Sequence, residues 1–162
     1  MELVVLKRMV VISSILGAVL GVITVIPVVN VLSFLAIMFL ASPSVIIYMT
    51  KYNLIGILNL KETLIYGAII GFISFLGFSL TFVPLATIIG LIYKNSFYLG
   101  VSMLFREGFF VMLLMVVFVA LLGGALMNSF RALIYHQIRT YFFNYETNND
   151  ILNENIDYEI GE

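Results

Sequence analysis

Long uncharged stretches divided by single charges and turn residues set the pattern of this chain. From Met9 to Thr50 no Asp, Glu, Lys or Arg occurs, which is too long for one membrane span and suits two of about 20 residues each. Pro27 and Asn30 interrupt the run and mark a tight reversal, which predicts helix 1 near residues 9–28 and helix 2 near 31–49. Within helix 2, Ser42-Pro43-Ser44 removes one backbone hydrogen bond. Membrane helices tolerate such a loss where neighbours or hydroxyls take up the freed groups.

Residues 50–62 carry Lys51, Lys61 and Glu62 around an apolar centre and read as a loop on the membrane surface. A third helix is expected from Thr63 to Val83, with Pro84 breaking or bending it. The next segment, 85–105, is apolar but holds Lys94-Asn95-Ser96 near its middle, so it is expected to be partly embedded or re-entrant. A fourth span, near 108–127, has no charge until Arg131. Arg131, His136 and Arg139 follow among aromatics, as expected at headgroup depth. Residues 144–162 are acidic and Asn-rich and read as a disordered, solvated tail.

These elements predict an all-α, polytopic transmembrane helical bundle of four spans arranged as two hairpins. Composition agrees, since 62% of the 162 residues are hydrophobic and 10% charged, against about 25% charged in soluble domains. The N-terminal Lys7-Arg8 followed by apolar sequence resembles a signal peptide only at its start, because the apolar run far exceeds a 7–15-residue core of that kind. It reads as a retained span.

Charge sets the expected orientation. With four spans and the N-terminus inside, Lys7, Arg8, Lys51, Lys61, Arg131 and Arg139 fall on the cytoplasmic side and Lys94 and Arg106 outside, as the excess of Lys and Arg in cytoplasmic loops requires. A five-span arrangement would place Lys94 mid-membrane at a cost of about 2.5–3.5 kcal/mol. The expected location is the plasma membrane, with both termini cytoplasmic. The scattered basic residues exclude a nucleic-acid-binding stripe, and the absence of cysteine excludes disulfides and thiolate chemistry.

The chain also resembles itself at an offset of fifty residues. Residues 13–26 (SSILGAVLGVITVI) and 63–76 (TLIYGAIIGFISFL) share Ile, Gly, Ala, Gly and Ile at matching places. Each segment carries a small-residue stripe on one helical face: Ser13, Gly17, Gly21 and Thr24 in the first, Thr63, Gly67, Gly71 and Ser74 in the second. Ala120 and Gly124, with Asn128 a turn further on, form a third. Lipid supplies little hydrophobic drive for helix association, so close backbone approach through small residues takes its place. These are the expected helix-packing positions.

Lys94, Arg106 and Glu107 are candidate pathway residues, since charges deep in apolar sequence are functional candidates by default. One histidine, His136, cannot build a metal cluster, and the serines have no identifiable base beside them. No catalytic, cofactor-binding or metal site is expected. The leading expectation is a non-enzymatic integral membrane protein with a structural, assembly or regulatory role. Its partners would be the bilayer and a second copy or another membrane protein. A small oligomeric channel or transporter subunit is the alternative, and an intramembrane enzyme the third reading.

Overall fold

The computed structural model describes residues 3–56, 58–93 and 96–160, with the backbone alone at Tyr93, Ser96, Phe97, Phe105, Glu107, Asn144 and 146–160. The described residues are helical apart from short connections, with no strand among them. In chain order the elements are α1 (Leu3–Ile23), α2 (Asn30–Lys51), α3 (Leu60–Tyr93), α4 (Ser96–Glu107), α5 (Phe109–Val119), a π-helical turn (Ala120–Leu126) and α6 (Met127–Ile160). Four helical stretches are long and apolar enough to cross a membrane: α1, α2, Leu60–Ile92, and the continuous rod Phe109–Phe143. At about 1.5 Å per residue, the 21 residues of α1 reach about 32 Å, close to the thickness of a hydrocarbon core.

Local chemistry explains where the helices stop. α2 ends where Asn53 takes a φ of 52°, the left-handed conformation that Asn tolerates better than most residues. Leu54 N–H then donates to the Met49 carbonyl at 2.8 Å and Asn53 N–H to Thr50 at 3.0 Å, which closes the helix end in a Schellman-type turn. α3 begins at a reciprocal cap. Glu62 N–H donates to Asn59 Oδ1 at 2.9 Å, while Asn59 N–H donates to Glu62 Oε2 at 3.1 Å, so each side chain satisfies an orphan backbone donor of the first turn.

α3 is the central helix and touches each of the other elements. α1 runs parallel to it, with Ser14 against Gly77 and Gly21 against Phe78 and Thr81. The rod made by α5, the π turn and α6 runs antiparallel to it, with Gly71 beside Gly124 and Gly67 beside Ala132. α1 therefore makes its closest backbone approach to α3 rather than to α2, its neighbour in sequence. One apolar cluster gathers Met9, Val45, Ile46, Met49, Tyr66 and Ile70. A second, towards the other end, gathers Ile37, Phe75, Phe78 and Ala120. The first residues of α1 and the His136 region of α6 lie at the same end of the bundle, because Met9 shares its cluster with Ala132 and Tyr135 and His136 adjoins Thr63.

One expectation needs correction. Pro84 does not end the third helix, which continues to Tyr93 with Pro84 inside it. The missing N–H and ring clash cost about 3 kcal/mol, and the last turns recover this through α4, which folds back against them with Tyr98 beside Gly90. Segment 85–105 thus consists of the end of α3 and most of α4. Beyond Phe143 the backbone of residues 144–160 continues α6 as a helix to Ile160. This stretch lacks Gly and Pro, so nothing in it breaks a helix already nucleated by the preceding turns.

Candidate functional site

All four positions of the first small-residue stripe face inward: Ser13, Gly17, Gly21 and Thr24 are buried. A Cβ built on Gly17 would collide with the Ser74 carbonyl oxygen, and one on Gly21 would stand 2.6 Å from the Phe78 carbonyl oxygen. The approach is backbone to backbone, which only glycine permits. The Thr81 hydroxyl lies at this contact, 3.1 Å from the Ala18 carbonyl and 3.0 Å from the Phe78 carbonyl of its own helix, with one proton to share between them. Thr24 donates to its own helix at Leu20.

In the second stripe, Thr63, Gly67, Gly71 and Ser74 are likewise buried, but they divide between two partners. Gly67 and Gly71 face the fourth rod, where an added Cβ would meet the Asn128 carbonyl oxygen at 2.8 Å and the Asn128 Cβ at 2.5 Å respectively. Ser74 faces α1 through its carbonyl. The third stripe completes the arrangement, with Ala120 and Gly124 buried and a Cβ on Gly124 placed 2.7 Å from the Gly71 carbonyl oxygen. Gly71 and Gly124 lie against one another where the helix widens into its π turn, a feature often found at functional positions.

Asn128 is the polar centre of this interior. Its side chain has no exposure; Oδ1 accepts from Ser42 N–H at 2.9 Å, and Nδ2 donates to the Ile37 carbonyl at 3.3 Å and to Gly124 at 3.0 Å. The amide therefore enters the backbone ladder of α2 one residue before Pro43. It links α2 to a rod that also packs on α3. Sequence reasoning noted Asn128 only as an extension of the third stripe; the signal was an Asn within an apolar span, seven residues after Leu121 and opposite no visible partner. Among the described residues the buried hydroxyls of Ser13, Ser42 and Ser74 have no hydrogen-bond partner.

Arg131 stands near the start of α6. It is half-buried, and its guanidinium lies 4.2 Å from the ring centroid of Phe39. Phe39 is twelve residues from Lys51 and nine from Asn30, or about 18 Å and about 14 Å of helix from the two ends of α2. The long side chain follows the tilt of helical Cα–Cβ bonds towards the helix start and carries the charge alongside the middle of α2. Among the described residues no carboxylate pairs with it. Of the candidate pathway residues, Lys94 lies outside the described residues, Arg106 is exposed at the end of α4, and Glu107 closes that helix.

His136 is half-buried, and its Nδ1 is 3.5 Å from the Thr63 hydroxyl. That hydroxyl already donates to Asn59 at 2.9 Å, so it serves the start of α3. Comparison with protein families, curated proteins and solved structures finds no match for this chain. Four apolar helices of spanning length make it compatible with a membrane-embedded protein.

Proposed function

We propose that the chain is a non-enzymatic membrane protein with an assembly role, docking a transmembrane helix of another protein that carries a carboxylate at mid-depth. The observation that supports this is Arg131. A charge of this kind costs about 2.5–3.5 kcal/mol at the centre of a span, and a cation–π contact returns only about 0.5–2 kcal/mol, so Phe39 alone does not balance it. The spans of a second copy offer no carboxylate for it. Outside the final acidic segment the chain has only Glu2, Glu62 and Glu107, and Glu62 and Glu107 stand at helix ends.

The channel or transporter reading draws on the unpartnered serines and the proline-containing helices. Against it, the contacts between α1 and α3 and between α3 and the π turn are backbone to backbone, which leaves no lumen along either seam.

A synthetic Leu-based transmembrane peptide with one central Asp tests the assembly role. It is labelled, reconstituted with the protein in phosphatidylcholine vesicles, and followed by energy transfer. The expected result is at least fivefold stronger association than for a matched peptide with Leu at that place, with the excess lost in Arg131→Gln. Equal association of the Asp peptide with wild type and Arg131→Gln would overturn the proposal.

A further inference from the structure

A groove of about 810 Å³ opens on the surface between the start of α1 and the end of α2, within the roughly 300–1,000 Å³ typical of ligand sites. Val4, Lys7, Arg8 and Val11 all line it. Their spacing of three, four and seven residues puts them on one face of α1, with two cations between two apolar turns. Tyr48 and Tyr52 form the opposite wall, their ring centroids 4.6 Å apart. Ile12 and Leu54 add apolar surface.

Lys7 and Arg8 are exposed, and neither pairs with a carboxylate among the described residues. They lie in the second turn of a helix whose length matches the hydrocarbon thickness, and hence near the border between acyl chains and headgroups. Lys and Arg stems cover apolar surface at that depth while their charges stay with water or phosphate. Tyrosine has its own preference for the same layer, with an apolar ring and a polar tip.

We infer that this groove holds one anionic phospholipid of the leaflet on the N-terminal side. Lys7 and Arg8 would take the phosphate and the additional headgroup charge, since guanidinium and ammonium bind phosphate oxygens through charge-assisted hydrogen bonds. The tyrosine hydroxyls stand at the level of the glycerol esters. One acyl chain would descend along Val11 and Ile12, as the apolar side chains deeper in the groove require. The site is separate from Arg131 and does not depend on the assembly role proposed for it.

The test uses full-length protein in mild detergent, titrated with phosphatidylglycerol or with phosphatidylcholine of the same acyl chains, and read by native mass spectrometry. One phosphatidylglycerol should bind at least tenfold more tightly than phosphatidylcholine. Lys7→Gln/Arg8→Gln should remove that preference, whereas Arg106→Gln, remote from the groove, should keep it. Val11→Trp, which fills the groove and leaves both cations, should weaken binding of both lipids. Unfolding midpoints equal to wild type establish that each variant is folded. Equal binding of the two lipids to wild type, an undiminished preference in the double variant, or a protein dimer in place of the lipid adduct would each overturn the inference.

Discussion

Asn128 and Ser42 are joined across two helices, the Asn128 Oδ1 accepting the Ser42 backbone N–H at 2.9 Å one residue before Pro43. Pro43 has no N–H to offer the Phe39 carbonyl, and a polar backbone group left unpaired inside a membrane helix costs several kcal/mol in hydrocarbon, so polar contacts beside this break carry weight. The side chain that takes the Ser42 N–H also holds the Ile37 carbonyl, so a single amide serves two groups of α2.

Replacing that amide should be the most damaging polar substitution in the bundle. Asn128→Ala is expected to destabilise the protein by about 1–3 kcal/mol, measured by unfolding in mixed detergent micelles, while Ser44→Ala on the exposed side of α2 stays near zero. Pro43→Ala restores an N–H to α2. That N–H would pair with the Phe39 carbonyl, which the Asn128 amide does not hold, so in a double-mutant cycle the two changes should be close to additive, and strong coupling would show that the amide's role depends on the proline.

Glycine substitutions divide sharply by position. Gly17→Ala and Gly71→Ala place a Cβ against the backbone of the facing helix and should each cost about 1–3 kcal/mol, as overpacking does. Gly21→Leu should lower folded yield in membranes still further. A Cβ at Gly100 has nothing within 4 Å, so Gly100→Ala should be silent, as should Ile23→Leu. Equal folded yields from these two groups in membranes would remove close packing as the source of stability.

The cap at the start of α3 makes a separate prediction. Asn59→Ala removes an acceptor for the Glu62 N–H and should cost about 0.5–2 kcal/mol, whereas Asn59→Asp keeps the acceptor and most of the stability. Hydrogen exchange at Glu62 and Thr63 checks whether the loss is confined to the first turn. Uniform acceleration along α3 would contradict a local cap.

Topology is tested by labelling. The first residues of α1 and the His136 region share one end of the bundle, so reporters fused before Leu3 and after Arg139 should report the same side of the membrane. In this cysteine-free chain, Arg106→Cys should react with an impermeant thiol reagent from the opposite side. Reporters on different sides would require an odd number of crossings.

Period and punctuation along the chain determined the helical class, the four apolar stretches and the small-residue stripes, because a membrane span must satisfy its backbone internally and its length is set by the bilayer. The cap of α3 was also written locally, as Asn59 and Glu62 three residues apart, though a reading that began the helix at Thr63 passed over it. What depended on the fold was the choice of partner for each stripe. Gly17 could have met any helix, and neither its own segment nor the repeat at Gly67 says that α1 meets Ser74 while Gly71 meets Gly124. The continuation of α3 through Pro84 rests on α4 returning to Gly90, a contact between segments that no local propensity encodes. Arg131 belongs to the same class. One-dimensional hydropathy places an arginine after an apolar run at the membrane border, and only the register of α6 against α2 brings its charge over Phe39, because depth is a property of packed helices and not of position in sequence.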